Sequence, residues 1–110
     1  MKLYVTRNFS AAHHLPNYDG ACHNLHGHTW KVEVWILGEV NQDTGMLIDF
    51  KLIKNVIDQL DHSNLNDIID NPTAENLTLW IFNQLDEPPE INWVCVRLWE
   101  SENSYAELSG

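Results

Sequence analysis

Residues 22–35 read CHNLHGHTWKVEVW, placing Cys22, His23, His26 and His28 within seven residues and running on into an alternating apolar pattern. His26 and His28 stand two apart, so on a strand both imidazoles leave the same face. Gly27 between them adds no side chain. Two imidazoles on one face are half of a zinc site, since zinc takes His nitrogen in a tetrahedral arrangement. A third donor comes from upstream. His13 shares the parity of Leu3, Val5, Phe9 and Ala11 and reaches the same point if the first two strands form a hairpin, whereas His14 has the opposite parity. Three protein donors leave one zinc position open, the arrangement of a catalytic centre. The competing reading is a set of ordinary surface histidines; a pair on one face with a third donor of matching parity argues against it. Cys22 leaves two readings open. It closes the site as a fourth, structural ligand, or it is a nearby thiol whose pKa is lowered by the metal or an imidazole.

Two further groups could do chemistry. Asp61 and His62 are adjacent in LDHSNLND. A carboxylate that orients an imidazole is a common proton-transfer device, although such a pair in a polar loop is usually just solvated. Glu100 ends an apolar strand on the face of Val94, Val96 and Leu98. A carboxylate there either sits at the solvent edge or is held to accept hydrogen bonds from a ligand.

The elements that must position these groups follow from periodicity. Residues 2–13 alternate, as do residues 26–36, where His26, His28, Trp30, Val32, Val34 and Ile36 share a face. Both segments are expected to be strands. LPNYDGA and NQDTG are breaker-rich and predict loops. Asp49 is placed to cap a helix carrying Phe50, Ile53, Val56, Ile57 and Leu60 as its apolar stripe. Residues 61–72 are expected to be loop with a short apolar insert. Thr73 is placed to cap a second helix, with Glu75 in its first turn and Leu77, Trp80, Ile81 and Leu85 inward. INWVCVRLWE predicts a strand and SYAEL a last short one. The order β-β-α-α-β-β predicts a single α+β domain over residues 1–110, with an antiparallel four-stranded sheet and two helices packed on one face.

Composition narrows the function. The formal charge is −10, from 16 acidic and six basic residues. That argues against nucleic acid, whose phosphates need clustered Lys and Arg. No apolar run reaches the ~18 residues of a membrane span, and MKLYVTRNF has no signal-peptide apolar region. The cytosol is the expected location. Two cysteines are too few for a disulfide-built secreted fold, so both read as thiols, with Cys95 in the core.

The segments FSAAHHL, CHNLHGHTW, TGMLIDF, LDHSNLND, NPTAENL and VRLWES span residues 9–101. In that order they resemble the 6-pyruvoyl-tetrahydropterin synthase superfamily, most nearly its 6-carboxy-tetrahydropterin synthase branch, to which the spacing of Cys22 before His26-Gly27-His28 is similar. The resemblance implies a T-fold, Zn²⁺ on His13, His26 and His28, and Cys22 as a catalytic thiolate in a relay with Asp61 and His62. It implies that Glu100 anchors a pterin ring, with Thr73 and Glu75 near the same pocket. The implied substrate is 7,8-dihydroneopterin triphosphate, and the implied assembly is a trimer or a pair of trimers with sites between subunits. The implied product is 6-carboxy-tetrahydropterin, with a pyruvoyl pterin as the alternative. A zinc-stabilised binding module without catalysis is the reading from another class.

Overall fold

In the computed structural model, which describes residues 1–110, the alternating segments form two long antiparallel neighbours, β1 (Lys2–His13) and β2 (His26–Gly38). Val5, Phe9, Ala11 and His13 of β1 and Trp30, Val32, Val34 and Ile36 of β2 are buried on one face. The alternation dictates this outcome, because a one-residue slip would turn the whole apolar set to solvent. Strands β4 (Ile91–Ser101) and β5 (Ser104–Ser109) extend the sheet antiparallel beyond β2.

Helices α1 (Phe50–Asp58) and α2 (Ala74–Leu85) cover the buried face. Each starts at the expected cap. Asp49 Oδ1 accepts from Lys51 N–H at 2.9 Å, and Thr73 Oγ1 accepts from Asn76 N–H at 3.0 Å. Ile53, Val56 and Ile57 point inward from the first helix, with Leu60 buried just past its end. Leu77, Ile81 and Leu85 point inward from the second, whereas Trp80, expected in that stripe, is only partly buried at its margin. Phe50, expected in the stripe, is instead 47% exposed. It occupies the first turn of α1, where the helix overhangs the edge of β1 beside Tyr4 and Thr6.

The sheet departs from the expected four antiparallel strands. It has five, in the order β3-β1-β2-β4-β5, and it is mixed. The extra strand, β3 (Ser63–Asn64), pairs parallel with Ala11 and Ala12. Two residues carry no period-two pattern, so sequence periodicity reads this segment as loop. Its neighbour Leu65, fully buried, pins it to the core.

The other face of the sheet carries no helix and is tied sideways across the strands. Glu33 accepts from Tyr4 Oη–H and Trp99 Nε1–H, both at 2.7 Å. The Arg97 guanidinium lies 5.0 Å from the Trp35 ring and 4.5 Å from the Tyr105 ring, and pairs with Glu107 at 2.7 Å. No helix of the chain is long and apolar enough to cross a membrane.

Candidate active site

The β1–β2 ladder ends in a histidine cluster. His13 pairs with His26, and His28 pairs with Ala11 one step further in. All three rings lie on the core face, their centroids 4.5–5.1 Å apart. Trp30 closes the cluster from below, its ring 5.0 Å from that of His13 and 5.1 Å from that of His28. The donor atoms of the three histidines lie within 4.8 Å of one another.

Hydrogen bonding assigns the tautomers. His13 Nδ1 faces the Pro72 carbonyl at 2.7 Å, and His26 Nδ1 faces the Asn24 carbonyl at 2.7 Å. A carbonyl only accepts, so both Nδ1 atoms carry the proton, and in the neutral rings both Nε2 atoms present lone pairs. Those two Nε2 atoms face each other at 3.0 Å. His28 Nε2 is buried without a hydrogen-bond partner, 3.7 Å from Glu100 Oε1. Burial holds the His28 pKa below its ordinary value, Glu100 opposes the shift, and His13 and His26 add to it. Two lone pairs facing each other at 3.0 Å repel, with the buried, unpartnered His28 Nε2 beside them, and a divalent cation bound by the three rings removes the conflict. The residues present therefore fit a metal ion.

Cys22 does not join the mutually close donor set. It lies half-buried in the short 3₁₀ turn Ala21–His23, and its carbonyl accepts from Leu15 N–H at 2.8 Å. That bond ties the thiol's backbone two residues beyond His13. His23 is exposed in the same turn.

Asp61 and His62 ride on β1. Asp61 Oδ1 accepts from Ser10 N–H at 2.9 Å, and His62 N–H donates to the Ser10 carbonyl at 2.7 Å. Asp61 Oδ2 lies 3.0 Å from His62 Nδ1. His62 holds a left-handed backbone, φ 56°, and its side chain is 84% exposed. No hydrogen bond joins Cys22 to either residue within one chain. The Ser10 N–H, with His62 beside it, holds the Asp61 carboxyl below its ordinary value of 3.8. A carboxyl depressed in this way stabilises the fold above its unfolded-state pKa, and the contribution is lost as pH falls through the lower, folded value. Asp61→Asn is therefore expected to melt below the parent at neutral pH, with the two melting temperatures converging as the pH falls below the ordinary carboxylate range. Thermal melts across pH check this, and a gap that stays constant with pH refutes it.

Glu100 owes its orientation to a bulge. Trp99 pairs with Tyr105 and Ser101 with Ser104, a register shift that leaves Glu100 without a partner on β5. Bulges re-aim side chains in this way. Glu100 lines a cavity of about 520 Å³ together with Ala74, Glu75, Tyr105 and Glu107. The first-turn amides of α2, which lack intrahelical acceptors, belong to the same region. Thr73 does not line the cavity; its hydroxyl is occupied by the helix cap.

Sequence reasoning missed Pro72, Asn24 and Tyr105. The first two act through backbone carbonyls, which any residue type carries, so only the fold reveals them. Tyr105 could have been found from its place beside the Glu100 turn.

Comparison with known proteins gives the chain's relatives. The chain is 38% identical to a dihydroneopterin monophosphate aldolase of Pyrococcus furiosus, over 97% of this chain and 96% of that one. It is 36% identical to a 6-carboxy-5,6,7,8-tetrahydropterin synthase of Synechocystis, covering 77% of this chain and 74% of the relative. Among solved structures it superimposes on the 6-pyruvoyl tetrahydropterin synthase of Caenorhabditis elegans with a TM-score of 0.75, at 27% identity, over 100% of this chain and 95% of that one. The sequence model of one family runs through both strands of the histidine hairpin, the Asp61–His62 turn and the Glu100 bulge, matching residues 2–110, and the chain belongs to that family, 6-pyruvoyl tetrahydropterin synthase.

Proposed function

We propose that the chain is a zinc-dependent pterin lyase. In this reading 7,8-dihydroneopterin triphosphate and water give 6-carboxy-5,6,7,8-tetrahydropterin, acetaldehyde and triphosphate. The observation that carries the reading is the convergence of donor nitrogens from three histidines beside Glu100, at the edge of a cavity large enough for a bicyclic ring. The Synechocystis relative's name supports the carboxy product.

Each residue then has a task. His13, His26 and His28 hold the metal through Nε2. A Zn²⁺ held by these three residues would supply Lewis-acid polarisation of the substrate's side-chain hydroxyls and so acidify the adjoining carbon. The Cys22 thiolate and the Asp61–His62 pair move protons on and off that side chain. Glu100 accepts from the ring's amino and N–H groups, a donor pattern that a carboxylate matches, and Glu75 lines the same cavity. The exposure of His62 and the lack of any hydrogen bond between it and Cys22 within one chain support a site completed between copies. The uncovered edge of β1 beyond the two-residue β3 supports the same assembly, as trimers or paired trimers. The expected location is the cytosol.

A second reading is favoured by the Pyrococcus relative, an aldolase named for a monophosphate. An aldolase would break the side-chain carbon–carbon bond and leave the phosphate on the two-carbon fragment. The experiment that separates these readings incubates zinc-loaded protein with 7,8-dihydroneopterin triphosphate and, in parallel, with the monophosphate, and identifies the products by mass. Acetaldehyde with a 6-carboxy pterin supports the lyase. A pyruvoyl pterin assigns the sister reaction, a hydroxymethyl pterin from the monophosphate assigns the aldolase, and no product from either overturns the pterin-lyase reading.

A further inference from the structure

Residues 61–66 lie along residues 10–14 as a continuous strap. Asp61 and His62 hold both backbone groups of Ser10, and β3 pairs with Ala11 and Ala12. At Leu65 the chain then turns into the core as a 3₁₀ turn, Leu65–Asp67, and no backbone remains to pair with the next residues of β1. The Asn66 carboxamide takes over. Its Oδ1 accepts from His14 N–H at 2.9 Å, and its Nδ2 donates to the His14 carbonyl at 3.0 Å. Asn66 N–H is in turn held by Asn64 Oδ1 at 3.2 Å. One side chain thus binds both the donor and the acceptor of one residue, as a neighbouring strand does.

His14 stands at a junction. The residue before it is His13, which supplies a donor to the histidine cluster. The residue after it is Leu15, whose N–H holds the Cys22 carbonyl. We propose that Asn66 is a positioning residue that fixes His14 and thereby sets both the aim of His13 Nε2 and the anchor point of the Cys22 turn. It touches neither the donor nitrogens nor the thiol. The inference rests on the metal-binding reading of the three histidines and is independent of which pterin is the substrate.

The test is Asn66→Ala, which removes both bonds to His14. Zn²⁺ affinity is measured by competition with a chromophoric chelator, beside a thermal melt of the metal-free protein. Loss of a group that orients a metal ligand costs about 10–100-fold in affinity, and a rise of the zinc dissociation constant in that range is expected. A folded variant whose dissociation constant stays within about twofold of the parent overturns the proposal, whatever its melting temperature does, because a purely structural role moves the melt alone. If Asn66→Ala does not fold, amide exchange on the unaltered chain decides. The His14 N–H is expected to be protected and to slow further when Zn²⁺ is added, whereas exchange at open-loop rates with and without Zn²⁺ overturns the proposal. If the parent itself binds no Zn²⁺, the metal-binding reading fails, and this inference fails with it for a separately visible reason.

Discussion

His13→Ala is expected to abolish metal retention. The residue is 1% exposed, its Nδ1 proton is held by the Pro72 carbonyl, and its Nε2 faces the other two donors. Removing it leaves two imidazoles, too few protein donors for a tetrahedral zinc site with one open position. The loss should exceed the ~100-fold cost of deleting an orienting partner alone, so the purified variant should carry no stoichiometric metal and turn over at background. The substitution also strips the buried Pro72 carbonyl of its donor, a cost of about 1–3 kcal/mol, so the melt should fall as well. The control is His23→Ala, three residues from the cluster and exposed, which should keep both metal and melt. Metal content by elemental analysis together with the melting temperature checks both variants. Full metal occupancy in His13→Ala would remove the basis for the site.

Cys22→Ala is expected to separate chemistry from metal binding. Cys22 lies outside the mutually close donor set and half-exposed in a surface turn that is held by its backbone, not its thiol. Alanine keeps the Leu15–Cys22 backbone bond, so zinc content and melting temperature should match the parent. Turnover should fall by about 10²–10⁴-fold, the usual contribution of a positioned proton-transfer group. A structural fourth ligand gives the reverse pattern, with zinc and stability lost together. The two outcomes do not overlap, so one purified variant, assayed for metal and for product mass, decides between the two sequence readings of Cys22.

The parts of the fold legible in the sequence are those governed by a regular period or a cap. The alternation in residues 2–13 and 26–36 dictates which face each histidine takes, and Asp49 and Thr73 mark helix starts through their side-chain oxygens. Parity, together with the assumption of a hairpin, put His13 on the face of His26, and the ladder pairs the two. What was not legible depends on contacts distant in sequence. The parallel pairing of Ser63–Asn64 exists because Leu65 is buried, and no local pattern encodes it. The bulge at Glu100 sits beside the two-residue turn Glu102–Asn103 that joins β4 to β5, and it places that carboxylate 3.7 Å from His28, a proximity that its position on an apolar strand only hinted at. The net acidity of the chain describes solubility and encounter, not the site.

The three candidate metal donors all belong to one hairpin, whereas the groups that orient them arrive from far along the chain. His13 and His26 are separated by 13 positions, but the Asp61, Asn66 and Pro72 contacts span 51, 52 and 59. Closing a short loop costs less chain entropy than closing a long one, although the difference grows only slowly with length. The order of folding events follows. On the metal-binding reading, the expected order is that the hairpin gathers its ion first and the strap and the Pro72 carbonyl lock it afterwards. In rapid mixing, refolding in Zn²⁺ should show the metal signal ahead of helix formation, and the opposite order would refute the scheme. If that order is observed, zinc supply acts on the rate at which the chain folds as well as on what the finished site holds. Without the ion, the end of the ladder must close on two facing lone pairs unaided.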